Sequence, residues 1–278
     1  MEHTVAKTNT KFQVPNNKFK IIKIWLRVSL MAVQGQLLNG YASLLFITGK
    51  IVRFALYFIF LSAILSGSAS LLIYTKEQAI FFFLSFTFFD TLIQTIFRGI
   101  YQFRPLVVSG DFDLDLLKPL PSYFRPLFGW VDILDAITII PFSIYTLWFV
   151  LNNQLIAGWS SVLLFLILLI NSFLLAFAIN LIIASIGILT TEIDHLIMIY
   201  RDVEAMARFP TDIYKPLIQT GLTFIIPITI LITVPTKALL GIVSWNLFVV
   251  ALGVTLFFLL FSVKFWQYAL SKYTSASS

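Results

Sequence analysis

The chain has no cysteine. Disulfides, thiolate metal sites and thiol catalysis are therefore excluded, although the absence says little about compartment. Histidine is almost as scarce, with only His3 and His195. Charged residues make up 12% of the chain, where soluble domains carry about 25%. What fills the sequence instead is apolar. Hydrophobic residues account for 59%, with 29 Phe and 6 Trp, and the mean hydropathy is +0.93. No water-soluble core of 278 residues needs that many apolar side chains, so the class is an all-α polytopic membrane protein. The net charge of +6 reads as Lys and Arg gathered in cytoplasmic loops rather than as a nucleic-acid surface.

A membrane-crossing helix needs roughly 20 apolar residues. Six stretches qualify, at about 51–74, 78–101, 127–151, 159–189, 213–234 and 242–266. The first ends in the small-residue run "SGSAS"; the fifth contains Pro216 and Pro227. Residues 1–17 are polar, are expected to be flexible, and lack the pattern of a cleaved signal, so the first span is expected to act as its own signal. Between them and the first span, Lys18–Phe46 has a different character. Lys20, Lys23, Arg27 and Gln34 recur on one helical side, away from Ile21, Trp25, Val28 and Ala32. That pattern suits a helix lying in the membrane interface.

Charge asymmetry sets an expected orientation. With the N-terminus inside, every Lys and Arg except Lys76 and Lys237 falls on the cytoplasmic side, provided that the 98–125 loop and the 190–215 connection both lie there. Both termini are then cytoplasmic. Residues 18–278 read as one transmembrane domain, without internal repeats or a low-complexity linker.

Catalytic and cofactor signatures are weak or missing. His195 follows Glu192 and Asp194, but one histidine beside two carboxylates falls short of a metal-ligand pattern. "GQLLNGYA" (Gly35–Ala42) has glycines at phosphate-loop spacing without the Lys-Ser/Thr that grips phosphate and magnesium. Asp111, Asp113 and Asp115 imitate the start of a calcium loop. Leu116 stands where that loop needs glycine, and Ser122 where it needs glutamate. Neither a catalytic residue, a metal ligand nor a cofactor site is therefore expected. A carboxylate at membrane depth is a functional candidate because burying it in lipid is costly. Asp90 occupies that position in the second span; Asp132 and Asp135 fit the headgroup level near Arg125.

"SGDFDLDLLKPLPSYFRP" (Ser109–Pro126) interrupts the greasy sequence with a polar, angular segment. It resembles the loop after the second span of ABC-2 type permeases. "FPTDIYKP" (Phe209–Pro216) and "FIIPITILITVPTKALLG" (Phe224–Gly241) resemble that family's approach to the fifth span and its proline-punctuated continuation. The closing residues Trp266, Leu270, Tyr273 and Ser275 are similar to its terminal pattern. The resemblance covers the chain from about Lys18 to the end. It implies six spans, an interfacial elbow helix and a cytoplasmic coupling helix between spans two and three. It also implies a membrane-spanning permease subunit of an ABC exporter, not itself an enzyme. ATP and Mg would sit on a separate ATPase subunit, a second permease chain would pair with this one, and the location would be the cell (inner/plasma) membrane.

Under that resemblance, Asp111, Phe112, Asp113, Leu114, Asp115, Leu116, Leu117 and Lys118 form the ATPase-coupling segment. Its physical chemistry suits the role: Gly110 permits a sharp turn into a short helix and Pro119 stops it. The apolar residues Phe112, Leu114, Leu116 and Leu117 would fill a groove on the partner while the aspartates fix register. The acidity of the segment departs from the family pattern and bears on which ATPase it fits. Two other readings remain at this point. One is an ion- or proton-coupled secondary transporter using Asp90; the other is an integral-membrane transferase or hydrolase. Pro227 and Pro235 each remove a backbone donor, so a broken or re-entrant element is expected at the outer end of the fifth span.

Overall fold

The computed structural model describes residues 18–37, 40–67, 73–190 and 192–274. The expected flexible residues 1–17, the run Ser68–Ser70 of "SGSAS" and part of "GQLLNGYA" (Leu38 and Asn39) lie outside them, as do the side chains of Lys20, Ile21 and Ala32. The described residues are helical and contain no strand. Five helices are long and apolar enough to cross a membrane, and a sixth candidate is broken.

Helix α1 (Lys18–Leu37) ends before α2 (Gly40–Gly67) begins. Gly40–Phe46 thus belongs to the same helix as the first span, and not to the preceding amphipathic stretch where the sequence pattern put it. In α1, Lys23, Arg27 and Gln34 are exposed, together with Leu26, Leu30 and Met31. Helix α3 (Lys76–Phe97) starts in a capping box. The Thr75 hydroxyl accepts from the Gln78 N–H while the Gln78 side chain accepts from the Thr75 N–H. The N–H groups of Thr75 and Gln78 are thereby satisfied reciprocally. A 3₁₀ turn (Arg98–Gln102) leads into α4 (Phe103–Ser109), α5 (Asp111–Leu116) and α6 (Phe124–Phe128).

The third span starts later than expected. Helix α7 (Ile133–Asn152) begins where the Asp132 carboxylate accepts from the N–H groups of Leu134 and Asp135. Helix α8 (Trp159–Thr190), at 32 residues, is ~48 Å long and overruns a bilayer core of about 30 Å. It packs along α12 (Trp245–Lys272) and forms the centre of the bundle with α3. Three of its buried polar side chains are satisfied within the helix: Ser172, Asn180 and Ser185 each bond a carbonyl four residues back.

The largest departure from expectation lies between residues 190 and 240. The sequence puts the 190–215 connection on the cytoplasmic side and a fifth span at 213–234. Instead the connection runs back along α3. Helix α9 (Ile193–Glu204) begins with Asp194 paired to Arg104, at one end of α3–α4. Arg201 meets Asp90 further along, and Arg208 lies over the Phe86 ring. Asp212 accepts from Tyr74, at the opposite end. Residues 193–213 therefore traverse the length of the bundle. Their charges and 3₁₀ turns hid this from a hydropathy reading.

The apolar stretch that follows bends back on itself. Helix α10 (Pro216–Phe224) and the stretch Thr229–Leu239 make an angle of 80°. That second arm is a π turn (Thr229–Thr233) leading into α11 (Val234–Leu239). Both arms return to Asp212, which accepts from Gln219 on α10 and pairs with Lys237 on α11 at 2.6 Å. The element is re-entrant. Pro227 lies at the break, as expected; Pro235 does not break the chain, because it sits in the first turn of α11, just after the wider π turn. Arg201, Arg208 and Lys215 consequently join Lys76 and Lys237 as exceptions to the charge asymmetry.

Candidate functional site

Two features gather the residues that sequence reasoning singled out. The first is the α4–α5 turn. Gly110 has φ +80°, a left-handed conformation that glycine adopts without cost, and it separates two short helices. Phe112 then points inward. Its ring is fully buried and makes edge contacts with Phe103, Trp266 and Tyr273. Trp266 is itself pinned by its indole N–H, which donates to Ser122 at 2.8 Å.

The expected groove-filling role of Phe112 is thus corrected, because the ring anchors the helix to its own bundle. Asp115 is also turned inward, and its Oδ1 accepts from Lys118 at 2.7 Å and Arg125 at 2.8 Å. Leu116 is half-buried against the core. Asp113 lies beside the Tyr273 hydroxyl; burial first, and then that carboxylate, push the phenol up to about 12. What remains outward is Asp111, Leu114 at 60% exposure and Leu117 at 70%, with Val108 next to them on α4. Two leucines and an aspartate on a helix locked from beneath make a rigid knob.

The second feature is a chain of ion pairs across the bundle. Asp90 and Gln94 on α3 and Arg98 at the start of the 3₁₀ turn follow one another at four-residue spacing. Asp90 accepts from Gln94 and from Arg201 of α9, both at 2.8 Å. Arg98 donates to Gln94 and pairs with Asp132 at 3.4 Å. Asp135 pairs with Lys50 of α2. Asp132 and Asp135 are buried at the start of α7 and meet Arg98 and Lys50, while Arg125, near which the sequence put them, pairs with Asp115 instead. The pairs tie α2, α3, α7 and α9 into one lattice. A cavity of ≈ 20 Å³ adjoins it, lined in part by Gln94, Tyr101, Asn180, Tyr200 and Glu204. That volume holds one water. Sequence reasoning found Asp90 here but missed Lys50, Arg98, Arg201 and Glu204. The signal was present in the four-residue repeat of polar side chains on an otherwise apolar helix.

The remaining candidates separate. Asp194 turns to Arg104, while Glu192 turns to His195 at 2.9 Å. Among the described residues no cluster of three potential ligands could hold a metal ion.

Comparison with known proteins gives one match. Residues 51–277 match the family described as ABC-2 family transporter protein. No curated protein and no solved structure matches the chain.

Proposed function

Since the chain belongs to the ABC-2 transporter family, as a multi-pass membrane component of ABC transport, we propose that it is an exporter permease driven by a separate ATPase through the α5 knob. The observation that carries this reading is the division of labour within α5. Phe112 is buried against Trp266 of the terminal helix, while Leu114 and Leu117 project outward. A force applied to those leucines passes through Phe112 into α12 and through Arg104–Asp194 into α9. An ATPase groove that receives them would move two elements of the bundle at once. ATP and Mg would be held by that partner.

The orientation follows from the basic residues that remain at the α5 end. Arg104, Lys118, Arg125, Lys264 and Lys272 lie in the segments there, and with Lys23 and Arg27 of α1 they favour a cytoplasmic face. Both termini are then cytoplasmic, α1 acts as the interfacial elbow, and the re-entrant element closes the outer mouth. A second permease chain would complete the path. The alternative of an ion-coupled carrier needs Asp90 to exchange its ion. Its carboxylate is already engaged by Arg201 and Gln94, which favours the ATP-driven reading.

The test is co-purification with the ATPase and transport-linked ATP hydrolysis for L114A/L117A. Loss of two anchors should weaken docking by roughly 2 kcal/mol or more without changing expression. Normal co-purification together with normal hydrolysis would remove α5 from the coupling role.

A further inference from the structure

The charges of the ion-pair lattice do not balance. Arg201 serves Asp90 at 2.8 Å, Arg98 meets Asp132 and Lys50 meets Asp135. Those pairs use the cations of the lattice, and Glu204 remains as a further carboxylate. It is only 3% exposed. Its Oε2 lies 3.8 Å from the Arg201 guanidinium, beyond hydrogen-bond range, and its Oε1 has no hydrogen-bond partner among the described residues. Arg208, one turn further on, donates to the Tyr57 hydroxyl instead.

No neighbouring element supplies the missing cation. Helix α3 brings Asp90, itself an anion, and Gln94, whose amide is engaged by Asp90 and Arg98. The 3₁₀ turn after α3 brings Arg98, which serves Asp132, and the phenol of Tyr101. Arg104 of α4 serves Asp194 at the far end of α9. Helix α8 brings Asn180, whose amide donates to the Ala176 carbonyl. The π turn Thr229–Thr233 packs against the 3₁₀ turn Ala205–Arg208 and has no ionisable side chain. On α9 itself the Tyr200 hydroxyl is buried and, like Glu204 Oε1, without a partner. Tyr200 and Glu204 both line the cavity of ≈ 20 Å³.

We propose that the cluster of Asp90, Arg201 and Glu204 binds one proton, carried by Glu204 as the neutral acid while Arg201 serves Asp90. A buried carboxylate ion without a cation is costly, and two carboxylates beside one guanidinium leave one of them without a counter-charge. A proton removes that cost without needing further space. The cavity supplies the acid with a hydrogen-bond partner, because it has room for one water. A metal cation fits less well, since Arg201 stands beside the cavity and Glu204 is the only carboxylate among the described residues that line it. Arg201 decides where the proton sits. With Asp90 replaced by an amide, Arg201 has only Glu204 to serve, and Glu204 then ionises. The site depends on neither ATP nor a partner chain.

Infrared difference spectroscopy of the full chain in lipid nanodiscs tests this directly. A protonated carboxylic acid has a carbonyl stretch that a carboxylate lacks. Near neutral pH the parent is expected to show such a band that E204Q lacks, and D90N is expected to lose it as well. Absence of the band from the parent, or its persistence unchanged in D90N, overturns the proposal. A band seen only when choline replaces sodium also overturns it, since the cavity would then hold a metal ion. A second measurement does not need D90N to fold. The folded parent holds a proton that its unfolded chain gives up near neutral pH, so raising the pH from acidic to neutral should lower the unfolding midpoint. E204Q keeps the shape of the neutral acid and should lose that part of the slope, which separates loss of the proton site from misfolding. Equal slopes in the parent and E204Q overturn the proposal.

Discussion

Phe112 and Leu117 sit in one short apolar-acidic run, yet their surroundings oppose each other. Phe112 fills a space between Phe103, Trp266 and Tyr273, so F112A removes a large buried ring and leaves a cavity. A loss of about 3–5 kcal/mol is expected, visible as a lowered unfolding midpoint in detergent. L117A removes an exposed side chain, and the same measurement should leave it unchanged. An F112A protein as stable as the parent would mean that the ring is not an internal anchor.

Asp90 and Arg201 offer a second residue-level contrast. Removing Arg201 leaves Asp90 without a cation, and removing Asp90 leaves Arg201 only the looser contact with Glu204 at 3.8 Å; breaking a largely buried pair from one side costs up to about 3–5 kcal/mol. Removing both costs less than the sum. D90N and R201Q should therefore each destabilise strongly, and D90N/R201Q should recover part of the loss. Additive destabilisation would show that the two side chains act separately.

Among the elements, α9 has the most informative setting. It turns sharply out of α8, and Ile193 packs directly over Gly187. A Cβ at residue 187 would overlap the Ile193 side chain, so G187A must push α9 away from α8. Overpacking of this kind costs about 1–3 kcal/mol. It should also loosen Arg104–Asp194, the link between α9 and the α4–α5 turn. The expected outcome is a reduced unfolding midpoint together with faster amide exchange across 193–204; unchanged exchange there would contradict the close contact. The re-entrant element is held differently. Asp212 clasps both of its arms through Gln219 and Lys237 and takes the Tyr74 hydroxyl as well. Burial, reinforced by Asp212, pushes the Tyr74 phenol well up, so this clasp stays protonated at Tyr74 throughout the physiological range.

For the whole molecule, the course of residues 193–213 sets a topology that labelling can check. The cysteine-free chain accepts single cysteines cleanly. With the α5 end cytoplasmic, E192C and S122C should resist an impermeant reagent added outside, while N153C and K215C should react. Protection of K215C with labelling of N153C would return the 190–215 connection to the inner side and refute the traverse along α3.

How much of this was legible in the sequence depends on what each feature is made of. Membrane class, helical composition and five of the crossings follow from runs of apolar residues, because the bilayer demands length and hydrophobicity locally. The short helix after Gly110 and the break at Pro227 were readable for the same reason, since backbone restrictions act at the residue that carries them. The path of 193–213 was not readable. Arg201, Glu204 and Arg208 look like loop residues until Asp90, a water-sized cavity and the rings of Tyr57 and Phe86 surround them. The inward turn of Phe112 was hidden likewise, because nothing within "DFDLDL" tells which apolar side chain meets Trp266, some 150 residues later. Solvation by the bilayer is a property of each segment and can be read along the chain. The pairing of buried charges and rings is a property of neighbours distant in sequence, and only the tertiary structure brings them together.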